Sequence, residues 1–333
     1  MPHRAYQTVE ATSAADLGAQ LGRLNGAHMR ESIAYVRREP NWNRKLAIAK
    51  QQIALTQQHL PQYVSELEAY ATAAGLSLPD VWVVMCEDEL DEMAAEKCTT
   101  FVTNGGSLIS HNEDWDEDSE EEIGVLRKTV GDLTTLEIHY FNTPLGGSAI
   151  SINSRGYVQA INSLHHTDGR IGIPRNVIAR WLSETGDPEQ DFATLCSLPR
   201  SAGYNHLLAG TGSRVFNIEC TAERQLMWQP ELPFAHANHY LSQDLGDFDN
   251  ADDGDTTFRR HTSACTLVKG RMSFADATAV NGNTAHGREF SIFNCNTIAR
   301  VVVDLDKRLA HIWLRREARS GWIAYPLDFI SAR

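Results

Sequence analysis

Apolar residues recur at helical spacing through the first part of the chain and at alternate positions through much of the rest. Leu17, Leu21 and Leu24, followed by Ile33 and Val36, predict a helix over 14–38. Ile48, Leu55 and Leu60 extend a second from about Lys45, which Pro61 breaks or restarts. Tyr63, Val64, Leu67, Tyr70 and Ala71 form an i, i+4, i+7 stripe that ends near Gly75. A further helix begins near Pro79 and Asp80 and carries Val81, Val84 and Met85 toward Leu90. After Cys98 the period becomes two, with strands over 98–103 and 107–111 joined across Gly105-Gly106. Strands are also predicted over 134–141, 147–152, 156–164, 204–209, 214–220, 225–229 and 234–241. Helices fall over 174–185, 188–197, 257–268 and 273–280, and a closing hairpin brings 292–295 and 299–304 against 309–314. Strand runs clustered around helix pairs predict an α+β fold of two mainly antiparallel sheets with helices on the outer faces. Residues 1–97 form a mostly helical segment and 98–333 a strand-rich one, within one structural domain.

Composition narrows the classes without choosing among them. Of the 333 residues, 42% are hydrophobic and 22% charged, proportions that build a full soluble core. The formal net charge of −13 argues against nucleic acid as a partner, which would call for a basic footprint. Six cysteines lie scattered with no CxxC pair, a poor basis for zinc or for a dense disulfide framework, so reduced thiols in a cytoplasmic protein are expected. The N-terminus lacks an apolar h-region and no run approaches the length of a membrane span, so no membrane partner is expected. Two acidic stretches stand out. Eight of the ten residues from Glu113 to Glu122 are Asp or Glu, and six aspartates lie within 244–255; both read first as solvated loops, the second without the alternation of an EF-hand.

The candidate chemistry lies between Lys97 and Trp115. A cysteine opens the first strand of a hairpin, and His111-Asn112-Glu113-Asp114-Trp115 ends the second. Cys98 read alone is a buried structural cysteine. Read as a nucleophile it needs a base and oxyanion donors. Thirteen histidines leave a Cys/His pair open, with His111, His165, His166, His236, His239 and His261 in polar surroundings. The other solution is cleavage of the chain immediately before the cysteine. The freed α-amine, with an ordinary pKa of about 7.7–8.0, then serves as the base.

Cys98-Thr99-Thr100 followed by Asn112-Glu113-Asp114-Trp115 resembles the acyl-CoA:6-aminopenicillanate acyltransferase family of N-terminal nucleophile (Ntn) hydrolases, which is similar to the bile salt hydrolase and penicillin V acylase group. Asn153-Ser154-Arg155-Gly156 with Asn162-Ser163-Leu164-His165 resembles the family's Asn-Ser-x-Gly strand pair. Phe234-Ala235-His236-Ala237-Asn238-His239 resembles its His-Thr-Asn-His strand, Thr257 to His261 its Ser-x-x-Arg helix start, and Ile292-Phe293-Asn294 its Phe-Asn strand. The order holds from about residue 14 to 315.

The resemblance implies a four-layer αββα sandwich, the Ntn-hydrolase fold. It implies Cys98 as nucleophile, Asp114 orienting its amine, Asn238 in the oxyanion hole and Arg260 supporting a thiolate. Asn162 falls at a substrate-facing position, and His111 and Trp115 are carried as substrate contacts, with core packing the alternative for Trp115. Two positions depart from the better-known members: Lys97 stands where they have glycine, and His111 where relatives often carry Gln or Arg.

The implied enzyme cleaves itself between Lys97 and Cys98, keeps its N-terminal segment as a partner, and hydrolyses a small N-acyl amine or N-acyl amino acid through a thioester. No cofactor or metal is called for, and self-association is left open. Passing the acyl group to an amine acceptor is the alternative within enzymes. An unprocessed binding protein with a dead site, and an unprocessed hydrolase with a histidine base, are the others. If the acidic run rims the pocket, it favours a cationic substrate.

Overall fold

The computed structural model describes residues 1–90, 98–249, 251 and 256–331. Lys97, one side of the expected cleavage site, therefore lies outside the described residues, as do Asp252, Asp253 and Asp255 of the second acidic stretch.

Fourteen strands form among the described residues: β1 (Tyr6–Ala11), β2 (Thr99–Thr103), β3 (Leu108–Asp114), β4 (Ile123–Val130), β5 (Leu133–Tyr140), β6 (Ile150–Asn153), β7 (Tyr157–Ser163), β8 (Tyr204–Gly210), β9 (Arg214–Cys220), β10 (Gln225–Trp228), β11 (Phe234–His236), β12 (Thr297–Asp304), β13 (Leu309–Leu314) and β14 (Ile323–Pro326). They build an eight-stranded sheet in the order β1-β4-β5-β6-β7-β8-β9-β10 and a six-stranded one in the order β11-β2-β3-β12-β13-β14. β1 runs parallel to β4; the other ladders are antiparallel.

Helices α1 (Ala14–Val36), α2 (Trp42–His59), α3 (Pro61–Ala74), α4 (Leu78–Met85) and α5 (Glu87–Leu90) precede the hairpin; α6 (Arg175–Leu182) and α7 (Pro188–Leu195) follow β7, and α8 (Thr256–Leu267), α9 (Phe274–Asn281) and α10 (Gly287–Phe290) precede β12. Ser13 caps α1 through Asp16 N, and Gly75, at φ 69°, ends α3 in the left-handed region where glycine carries no Cβ penalty. Gly18 lets α1 close on α3. A Cβ there would sit 1.9 Å from Glu66 O.

Three apolar layers separate four structural ones. Leu17, Leu21, Leu67 and Val177 from the helices pack with Leu126, Leu208, Phe216 and Ile218 on one face of the large sheet. The other face of that sheet meets the small sheet through Val125, Ile138, Ala160 and Leu207 against Val102, Ile109, Val301 and Ile312. The outer face of the small sheet, with Phe101, Leu108 and Val302, is covered by Ala264, Val268, Ala277 and Val280 of α8, α9 and their flanks. This is the αββα sandwich expected from the sequence.

Several elements differ from expectation. β1, β4 and β14 have no counterpart among the expected strands. β4 is buried on both faces and carries Lys128 inside the protein, where its Nζ bonds Glu137 Oε1 at 2.9 Å, so it shows no simple alternation. The strand expected over 292–295 is irregular chain, and only Phe234–His236 of 234–241 is strand. There the backbone leaves the ladder: Asn238 N donates to Thr257 Oγ1 and Tyr240 N to Asp249 Oδ2.

Candidate active site

The β2–β3 register sets the site. Thr99 pairs with Asn112 and Thr100 with His111, so one residue further back Cys98 stands beside Glu113. Paired residues share a face, and the pleat alternates. Val102 and Ile109 mark the face that meets the other sheet, which places Cys98, Thr100, His111 and Glu113 there as well. Thr99, Phe101, Asn112 and Asp114 point to the opposite side, toward the layer of α8 and α9.

On the inner face a hydrogen-bonded chain ends at the thiol. Cys98 Sγ lies 3.5 Å from Glu113 Oε2. The same oxygen is 2.7 Å from His111 Nε2, and His111 Nδ1 is 2.8 Å from Thr100 Oγ1. Tyr140 OH donates to the other oxygen, Glu113 Oε1, at 2.6 Å. Cys98, Thr100, His111 and Tyr140 are all buried around the carboxylate. A second buried histidine–carboxylate pair joins the two sheets, His236 Nε2 on β11 being 2.9 Å from Glu219 Oε1 on β9.

On the outer face Arg260, fully buried on α8, binds the backbone of Cys98 itself. Its Nη1 donates to Cys98 O at 2.6 Å and to Thr99 Oγ1 at 2.9 Å, and its Nη2 donates to Asn238 Oδ1 at 2.7 Å. Asn238 Nδ2 donates to Ser163 O at 3.0 Å, which uses one of its two N–H groups. Asp114 accepts from Asn294 Nδ2 at 2.8 Å through Oδ2, and its Oδ1 is buried with no hydrogen-bond partner among the described residues. Burial pushes the Asp114 carboxyl up to about 6, against the pull of Arg260. Asn162, buried on β7, accepts from Asn205 at 3.5 Å, and its Nδ2 also has no partner among the described residues.

Cys98, Arg260 and Asn238 thus form one bonded group, and Asp114 lies within electrostatic reach of Arg260. His111 is placed behind Glu113 and does not line the adjacent cavity; Trp115 does. Of the other polar histidines, His239 and His261 are driven by burial down to about 3 and about 4, which leaves both neutral. Sequence reasoning missed Glu113 and Tyr140. The hairpin register carried the signal for Glu113, since a cysteine one residue before Thr99 must face it. Atoms of Cys98, His111 and Glu113 lie within 4.8 Å of one another, close enough for a metal. Both ring nitrogens of His111 are hydrogen bonded within the cluster, one to Thr100 and one to Glu113.

Beside this cluster is a cavity of about 550 Å³, walled by Tyr35, Trp115, Tyr140 and Phe141 and by the carboxylates of Glu31, Glu39, Glu87, Asp116 and Glu122. No Lys or Arg is among its described lining residues. Lys45, buried behind it, pairs with Glu39 and lies 3.8 Å from Glu87, which offsets one of the five charges. Tyr140 joins cavity and site, its ring on the wall and its hydroxyl on Glu113.

Arg260→Met should cost about 3–5 kcal/mol in urea unfolding, because it leaves Cys98 O, Thr99 Oγ1 and Asn238 Oδ1 without their charged donor. A loss below about 1 kcal/mol, no more than a surface ion pair, would contradict this account of the group.

No curated protein matches the chain. The solved structure of penicillin V acylase from Agrobacterium tumefaciens is similar over 66% of this chain and 83% of its own, with 10% identity and a TM-score of 0.46. A mutant of conjugated bile acid hydrolase from Clostridium perfringens is similar over 72% and 94%, with 11% identity and a TM-score of 0.42. The family described as acyl-coenzyme A:6-aminopenicillanic acid acyl-transferase matches residues 102–318, well over half of the chain, running from β2 through both sheets to the turn after β13. The protein therefore belongs to that family.

Proposed function

We propose that the chain cleaves itself between Lys97 and Cys98 and then hydrolyses a small N-acyl amine or N-acyl amino acid, preferably one that carries a positive charge. The observation that carries this reading is the hold on Cys98. Its carbonyl is gripped by a buried guanidinium and its thiol touches a buried carboxylate, at the mouth of a strand beside an acidic, aromatic cavity.

After cleavage the Cys98 amine is the general base and Asp114 orients it. The thiol proton passes to the amine as Sγ attacks the substrate amide carbon, and the leaving amine takes a proton as the C–N bond breaks. Water then adds to the thioester and releases the acid. The second N–H of Asn238 and Asn162 Nδ2, which has no partner among the described residues, are donors available to the oxyanion. Arg260 lowers the cost of the thiolate. The N-terminal piece stays bound because Val9, Leu17, Leu21 and Leu67 are buried in the same core as Leu126 and Ile218.

The same thioester can be resolved by an amine in place of water, as the family's description implies for its namesake. Hydrolysis is the preferred reading, because an anionic CoA would meet a cavity lined by carboxylates.

The charge preference has a direct test. Of the three successive glutamates 120–122, Glu121 pairs with Arg316 at 2.7 Å, and Glu122 lines the cavity. Burial raises the Glu122 carboxyl, and Asn142 donates to it at 3.0 Å. With matched cationic and neutral N-acyl amines, Glu122→Gln should raise KM for the cationic substrate about fivefold, or about 1 kcal/mol, and leave the neutral one unchanged. Equal effects on both would remove the preference. A panel in which no N-acyl amine or N-acyl amino acid is turned over by the divided protein would remove the hydrolase reading.

A further inference from the structure

The reading that the chain cleaves itself leaves one step without a base. Until the bond before Cys98 breaks, the Cys98 nitrogen is part of an amide and cannot accept a proton. The amine that serves every later turnover does not yet exist. A thiol of ordinary pKa, about 8.5, is mostly protonated at neutral pH and is then a poor nucleophile.

Glu113 is placed to fill that gap. Its Oε2 lies 3.5 Å from Cys98 Sγ, and it shares the inner face of the hairpin with the thiol. Tyr140 fixes the other oxygen from β5, so the carboxyl cannot turn away, and His111, itself held by Thr100, bonds the oxygen that faces sulfur. Glu113 is 1% exposed, which keeps bulk water from competing for its lone pairs. Asp114, the neighbouring acid, faces the other side of the sheet, so it cannot replace Glu113 at Sγ.

We propose that Glu113 is the catalytic base of the self-cleavage step. Its Oε2 takes the Cys98 thiol proton as Sγ adds to the carbonyl carbon of residue 97. Collapse of the adduct breaks the C–N bond, and the proton passes from Glu113 to the departing Cys98 nitrogen. The residue-97 acyl group then sits on Sγ as a thioester. Water hydrolyses it, leaving a carboxylate on Lys97, the restored thiol and the new α-amine. One water is consumed, and Glu113 is regenerated. The polar chain Tyr140–Glu113–His111–Thr100 thereby acts before the mature site exists.

Full-length chain made by cell-free synthesis and followed by intact mass gives the rate at which 1–97 and 98–333 appear. Glu113→Gln, which keeps the size and can still accept from Tyr140, should cleave at least about 100-fold more slowly than wild type, the scale of a lost general base. Glu113→Asp should cleave slowly but measurably, and added formate should speed Glu113→Ala about tenfold or more by supplying the missing carboxylate. A folded Glu113→Gln chain that cleaves within about threefold of wild type, under 1 kcal/mol of barrier, overturns the assignment while leaving self-cleavage intact. If Glu113→Gln fails to fold, Glu113→Asp decides: cleavage at the wild-type rate overturns the assignment and slowed cleavage supports it. A wild-type chain that never divides overturns both the assignment and the self-processing reading.

Discussion

Cys98→Ala should leave a single chain of 37.1 kDa where the wild-type protein should yield two pieces, 1–97 and 98–333, and should abolish amide turnover. The loss should be total because in the proposed mechanism one atom, Sγ, serves both reactions as nucleophile, and alanine leaves nothing to form the thioester. The fold should survive. The side chain is small, it lies at the first position of a hairpin, and the bonds from Arg260 go to its carbonyl, which alanine retains. Circular dichroism and thermal unfolding of the variant should therefore resemble those of the uncleaved protein. Cys98→Ser should divide slowly, because the hydroxyl is a far weaker acid than the thiol. Two pieces from Cys98→Ala would show cleavage by another agent, and a folded but never divided wild-type chain would move the protein toward an unprocessed binding role.

Where the sequence was legible, a single local rule sufficed. The stripe 63, 64, 67, 70, 71 foretold α3, because one face of that helix meets the core and the other meets water. The hairpin β2–β3 was legible from β-branched residues flanking Gly105-Gly106. Strand β4 was not, since neither of its faces is wet: Lys128 and Glu137 pair inside the protein, so the polar residue that signals a surface marks instead a buried ion pair. The acidic run shows the same failure at the candidate site. Read as composition it is a solvated loop, yet Glu113 and Asp114 are 1% and 0% exposed, while Glu121 is on the surface beside Arg316. Charge density cannot distinguish these cases. Register can, because pairing Thr99 with Asn112 fixes which carboxylates face the thiol and which face Arg260. Arg260 and the Cys98 carbonyl it holds are 162 residues apart in the chain, a convergence that no local pattern contains.

Asp114→Asn should move stability and activity in opposite directions. The Asp114 carboxyl titrates near 6 in the folded protein, against an ordinary value of 3.8, because burial disfavours its charge more than Arg260, Thr297 and Asn294 favour it. The sign follows from linkage. A raised folded-state pKa contributes stability that is fully present below 3.8 and is lost as pH rises through about 6. Above that pH the protein holds a buried anion at a cost of about 3 kcal/mol relative to the neutral acid. Asparagine mimics the neutral acid and can still accept from Asn294. The variant should therefore unfold at a higher temperature than wild type at about pH 8, and the difference should vanish toward pH 4. Activity should fall by about three orders of magnitude, because the ionised Oδ1, unpartnered among the described residues, is what would receive and orient the freed Cys98 ammonium. The same group tunes an acid limb. In the processed enzyme the Cys98 amine must be neutral to act as base, so kcat/KM should drop about tenfold per pH unit as it protonates. Asp114→Asn, which no longer stabilises the ammonium, should move that limb to lower pH. Thermal unfolding and pH–rate profiles of the two proteins measure both halves. A variant that is less stable at pH 8, or one that keeps wild-type turnover, would show that Asp114 is held by packing and not for its charge. Strain of this kind is expected where a buried carboxylate is kept for a cation that arrives only after the chain has been cut.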